Sequence, residues 1–115
     1  MKKEIADAWV KALRSGEYEQ GYKCLYQNNT YCCLGVLCDL AEKEKICKKA
    51  SDYRDRVYFD EERLCLPESV IEWSGMLSRS GERAEFEESL ADLNDSQEYS
   101  FEEIANIIEK EYENL

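Results

Sequence analysis

The chain has 115 residues, with 26 acidic side chains against 15 basic ones and no histidine. That length sets one domain, residues 1–115, as the expectation, and a formal charge of −11 argues against nucleic acid or an anionic membrane as a direct partner, because both are polyanions. No stretch approaches the roughly 18 apolar residues of a membrane span, and Met1-Lys2-Lys3-Glu4 leads into an amphipathic pattern rather than an apolar signal core, so a cytoplasmic setting is expected.

Residues 3–15 have helical spacing. Ile5, Trp9 and Leu13 recur at i and i+4 with Ala8 and Ala12 beside them, while Lys3, Glu4, Asp7, Lys11 and Arg14 take the polar face. Gly16 supplies the stop. Trp9 reads as a core residue whose indole N–H needs a partner, or else as the wall of a half-open groove. Residues 23–27 and 30–33 then read as antiparallel strands joined at Asn28-Asn29, since asparagine tolerates the positive φ of a tight hairpin turn.

The second strand runs into a helix over about residues 33–45, the most apolar stretch of the chain. Cys33, Leu37, Leu40 and Ala41 form its stripe, and it is expected to be the core on which the Trp9 and Ile104 helices pack. Gly35 inside it costs roughly 1 kcal/mol relative to alanine, which points to a close approach by another backbone or by a ligand. Residues 42–56 read as a charged connection. Val57-Tyr58-Phe59 and Leu64-Cys65-Leu66 read as a second hairpin around residues 60–63, and Pro67 opens a short helix that stops at Gly75. Residues 77–84 read as a mobile loop and residues 86–93 as a helix carrying Phe86, Leu90 and Leu93. Ser100 and Glu103 form a capping box that starts the last helix, with Phe101, Ile104, Ala105 and Ile108 inward. The fold class is α+β: a single small domain of four to five helices and two short β-hairpins.

The chemistry-bearing residues favour binding over catalysis. Cys24, Cys32, Cys33, Cys38, Cys47 and Cys65 contain no C-x-x-C pair, so the usual zinc spacings are absent. Reduced, buried cysteines acting as small hydrophobes are the simpler expectation, beside a four-cysteine site built from distant positions. Asp92, Asn94, Ser96 and Glu103 have EF-hand spacing, but Gln97 stands where that loop needs glycine. No metal and no cofactor are expected. Cys32 and Cys33, beside a helix N-terminus, are the candidate nucleophiles of an alternative reading, a small thiol enzyme acting on a nucleotide or protein. That reading lacks a histidine base, and neighbouring carboxylates raise a thiol's pKa. Eight tyrosines, two tryptophans and Arg14, Arg54, Arg56, Arg63, Arg79 and Arg83 supply stacking faces and phosphate partners.

Three signatures resemble a widespread set of small proteins encoded by tailed bacteriophages and prophages. They are Trp9 to Gly16 with Tyr18 and Gln20; Tyr31-Cys32-Cys33-Leu34-Gly35-Val36-Leu37-Cys38-Asp39-Leu40-Ala41; and Leu66-Pro67, Val70, Trp73, Gly75, Leu90, Leu93-Asn94-Asp95, Ser100-Phe101 and Ile104-Ala105. The chain departs from that set after the Asn-Asp-Ser turn, where Gln97 replaces a frequent glycine. The resemblance implies the cytoplasm of an infected bacterium and a counter-defence accessory protein. Such a protein would bind or sequester a host immune nucleotide signal or a host defence protein. Trp9, Arg14, Tyr31, Gly35, Trp73, Asn94 and Asp95 are then the expected ligand-binding residues, and a homodimer is expected by analogy with sponges that close a pocket between copies. An acidic DNA-mimicking nuclease inhibitor, resting on the charge of −11, is the remaining alternative.

Overall fold

The computed structural model describes residues 1–115. Helix α1 spans Lys3–Arg14 and buries Ala6, Trp9, Val10 and Leu13. Its inward face is therefore turned toward positions 6 and 10, and Ala8 lies exposed. The turn follows from its partners, chiefly the C-terminal helix and then the central one.

Three two-residue strands come next: β1 Glu19–Gln20, β2 Tyr26–Gln27 and β3 Thr30–Tyr31. Asn28 and Asn29 both take positive φ, +51° and +64°, as a two-residue primed turn requires. Tyr26 therefore lies opposite Tyr31 in an antiparallel pair. β1 adds to the other edge of β3 in parallel, Gln20 opposite Tyr31.

Helix α2, Cys33–Lys43, is buried at every position from Cys33 to Asp39, the pattern of a helix enclosed on all sides. Its N-cap is Cys32, whose sulfur accepts the Gly35 N–H at 3.3 Å. Gly35 is explained by backbone: a Cβ there would overlap the carbonyl oxygen of Leu25. That same carbonyl accepts the Cys32 N–H at 3.3 Å.

The second hairpin forms, with a different partner. Strand β4, Lys49–Ser51, pairs with β5, Val57–Phe59, Lys49 opposite Phe59. Residues 64–66 do not join it, because the chain folds back at once. Asp60 and Glu61 take φ +47° and +71°, and the Asp60 carboxylate accepts the Lys48 N–H at 2.8 Å. Helix α3, Glu68–Ser74, ends at Gly75 in the left-handed region. Helix α4 covers Leu90–Asp95 rather than 86–93, because a capping box between Ser89 and Asp92 sets its start and leaves Phe86 outside. Helix α5, Phe101–Glu111, begins at the Ser100–Glu103 capping box and runs into a 3-10 turn, Tyr112–Asn114.

The architecture is α+β, five helices with two small sheets. Helices α1, α3 and α4 pack on α2, whereas α5 lies mainly against α1 and α4 rather than on α2 itself. Trp9, Leu34, Leu37, Phe59, Leu66, Leu90, Ile104 and Ile108 fill the interior. No helix is long and apolar enough to cross a membrane.

Candidate functional site

The sequence-predicted residues do not converge on one cavity. Four of them meet at the first turn of α2, where they bind the chain itself. Trp9 is fully buried and its Nε1–H donates to the Cys33 carbonyl at 2.9 Å. Asn94, equally buried, accepts the Cys33 N–H at 3.1 Å and the Gln20 side-chain amide at 3.0 Å through Oδ1. Its Nδ2 donates to the Gly21 carbonyl at 2.9 Å and to Asp95 at 3.3 Å. Asp95 in turn accepts the Lys23 N–H at 2.7 Å. Gly35 lies one turn along, against Leu25. A core amide with all its positions filled has nothing left for a ligand.

Arg14 bridges α1 to α5, donating to Asn106 at 2.6 Å and Glu109 at 3.1 Å, with Glu102 3.4 Å away. It is ringed by carboxylates. Trp73 is half-buried against the core and makes no ring contact with Tyr31.

The cysteines are all unbridged, and five are buried. Burial pushes the Cys32 thiol up to about 12 and that of Cys47 to about 11, and raises Cys33 and Cys38 as well. Such thiols are protonated at neutral pH, the opposite of an activated nucleophile. Cys33 donates to the Leu90 carbonyl at 3.7 Å and Cys47 to the Cys38 carbonyl at 3.6 Å, so each also acts within the core. Of the EF-hand positions, Asp92 and Glu103 accept the N-cap N–H groups of α4 and α5. No group of three His, Cys, Asp or Glu gathers as a metal would require.

Tyr31 sits elsewhere, in a tyrosine cluster beside lysines. Tyr18 and Tyr26 meet its ring edge-on, with centroids at 5.0 and 4.9 Å. The Lys49 ammonium lies 4.3 Å from the Tyr26 centroid and 5.7 Å from that of Tyr31. Lys43 donates to the Tyr18 hydroxyl at 3.2 Å and pairs with Asp39 at 3.2 Å. Burial, then the nearby Asp39 charge, pushes Tyr31 up to about 12, so its ring stays neutral. Lys49 also lines a shallow cleft of about 450 Å³ with Glu42, Lys45, Cys47 and Lys48.

The lysines of this face come from the charged connection after α2, its tyrosines from residues 18–31. Residues 42–56 hold six basic and four acidic side chains, against nine and twenty-two in the rest of the chain. That reversal of sign was the signal available in the sequence.

The family model described as "Domain of unknown function (DUF8296)" matches residues 1–112. The chain belongs to that family. No curated protein and no solved structure matches it. Both the junction at Cys33 and the tyrosine–lysine face fall within the DUF8296 span.

The DUF8296 domain also presents the tip of the β4–β5 hairpin. Asp52 accepts the Arg54 and Arg56 N–H groups at 2.8 and 3.0 Å, the Arg56 side chain at 2.8 Å and the Tyr58 hydroxyl at 3.1 Å. Against the burial that pushes it up, those bonds hold its carboxyl down at about 2. The turn so fixed leaves Tyr53 85% exposed, with the Arg54 guanidinium 5.3 Å from its ring.

Proposed function

We propose that this protein binds and sequesters an anionic, nucleotide-like ligand on its tyrosine–lysine face, as a counter-defence accessory protein of a bacteriophage in the host cytoplasm. The observation that carries the reading is Lys49 poised over Tyr26 and Tyr31 in the one strongly basic segment of an acidic chain. Aromatic rings accept a base by stacking, and lysines beside them accept its phosphates as point charges. The phage setting rests on the resemblance of the Tyr31 to Ala41 signature, and the neutral buried thiols favour binding over a thiol enzyme.

The test is to mix purified protein with cyclic dinucleotides and with linear adenine nucleotides, wash, and release bound material by heat. Intact nucleotide returned by the wild type but not by Lys49→Glu or Tyr31→Ala supports a sponge. Chemically altered nucleotide identifies an enzyme, and no retained nucleotide overturns the ligand class.

A host defence protein as partner is the second reading, favoured by the rigid, exposed Tyr53–Arg54 tip, since tyrosine and arginine are the commonest interface anchors. Under it, Tyr53→Ala abolishes co-purification of the host protein, while Tyr31→Ala does not.

A further inference from the structure

The loop between α3 and α4 buries a cation without a counter-charge. Arg83 is only 8% exposed. Its guanidinium lies 4.0 Å from the Phe86 ring centroid and donates through Nη2 to the Glu88 carbonyl at 3.3 Å. Its Nε is the sole buried side-chain nitrogen or oxygen in the molecule with no hydrogen-bond partner. Arg83 belongs to none of the six ion pairs. Every other buried side-chain donor and acceptor is met from within the chain, so this deficit is local.

The Arg83 side chain borders open space, although Nε itself is closed off from water. Three clefts, of about 710, 500 and 120 Å³, are each lined by both Arg83 and Phe86. Their walls add hydroxyls from Ser78, Ser80 and Ser89 and apolar surface from Leu93 and Ile107. Phe86 and Leu77 are 50% and 73% exposed, so apolar area is left uncovered at the same place. A guanidinium removed from water needs an oxyanion or several carbonyl partners, and its planar fork fits a two-oxygen acceptor. The rim carries six carboxylates, Glu82, Glu85, Glu87, Glu88, Asp92 and Glu111, whose repulsion grows with the charge of the ligand and so disfavours a dianion more than a single charge.

We infer that the Arg83–Phe86 cleft is a binding site for a monocarboxylate carried on an apolar or aromatic body. The carboxylate completes the guanidinium, and the body covers Phe86 and Leu77. A small carboxylic acid and the C-terminal carboxylate of a peptide share this chemistry. None of the residues involved belongs to the tyrosine–lysine face, so the inference stands apart from the nucleotide reading.

The test is an amide chemical-shift titration of the intact protein with benzoate, benzamide, inorganic phosphate and N-acetyl-phenylalanine. Benzoate is expected to shift amides of residues 78–92 saturably, and neutral benzamide of the same shape at least tenfold more weakly. Binding of N-acetyl-phenylalanine more tightly than benzoate assigns the site to peptide termini, and the reverse to small acids. Arg83→Gln is expected to abolish the benzoate response and Phe86→Ala to weaken it several-fold. Equal responses to benzoate and benzamide, a benzoate response that survives Arg83→Gln, or preference for phosphate overturns the proposal. The wild-type comparison uses no variant, so a poorly folded Arg83→Gln leaves it decisive.

Discussion

Asn94 and Arg83 are both buried polar side chains, and they differ in where their partners are. Asn94 makes four hydrogen bonds within the chain, tying α4 to the first turn of α2 and to residues 20 and 21. Arg83 makes one, to a backbone carbonyl, and leaves Nε unpartnered and closed off from water, in a loop whose side chains line open clefts. Residue type alone marks Asn94 as one of the expected ligand contacts and Arg83 as one of six arginines able to meet phosphate. The partners divide the two, because a buried group satisfied from within braces the fold, and one left unsatisfied keeps a demand that a ligand can meet.

The hardest blow to this contrast would be a dispensable Asn94. Asn94→Ala strands the Cys33 N–H and the Gly21 carbonyl in the interior, at about 1–3 kcal/mol each, so urea unfolding should show a loss of about 3 kcal/mol. Arg83→Met should stay within about 1 kcal/mol of wild type, since an apolar isostere removes a costly charge and only one bond. Equal losses for the two variants would erase the distinction.

Alkaline pH should separate the same regions. Thiols ordinarily titrate near 8.5, and in the folded chain Cys32 is held up to about 12 and Cys47 to about 11. Folding favours the protonated form, so the unfolded state loses its protons first and stability falls as pH rises. The stabilisation is complete below about pH 8.5 and is lost as pH climbs toward the folded values of about 11 and 12. Residues 77–89 hold no cysteine, tyrosine or lysine. Amide protection factors, corrected for base catalysis, should therefore fall at α2 before they fall in the Arg83 loop, and simultaneous loss would mean that the two regions open as one unit.

The smallest expected effect lies just past α4. Gln97 holds φ at +65°, a conformation that costs a side-chain-bearing residue about 1–2 kcal/mol. Glycine relieves that strain and gives part of it back as unfolded-chain entropy. Gln97→Gly should thus raise stability by about 0.5 kcal/mol, seen as a small rise in Tm. A fall would show that the Gln97 side chain contributes contacts of its own.

Much of the frame was legible because its signals are local. Asn28-Asn29 fixes a two-residue turn, Gly75 a helix end, and Ser100 with Glu103 a helix start, each through backbone geometry within a few positions. Gly35 was legible too, as a mark of close approach, although sequence does not say that the Leu25 carbonyl makes it. What escaped depends on distant partners. All three residues of Lys49–Ser51 are exposed and show no alternation, so only the pairing with β5 makes it a strand. Phe86 fits the helical spacing of Leu90 and Leu93, yet the Ser89–Asp92 box starts α4 after it. The internal partners of several expected site residues escaped for the same reason. Trp9, Asn94 and Asp95 look uncommitted in one dimension, and their partners lie 24, 61 and 72 residues away.

The basic stretch at residues 42–56 has a consequence for how fast an anion arrives. At 0.01 M salt the screening length is about 30 Å, comparable to the molecule's own 40 × 28 × 26 Å. An approaching anion then feels the whole charge of −11 and is turned away. At 0.15 M the length shrinks to about 8 Å, the distant carboxylates fade, and the lysines dominate over the last steps of the approach. Association with this face should therefore quicken as salt is first added and slow only at higher salt, the reverse of the monotonic decline seen when a uniformly basic protein meets an anion.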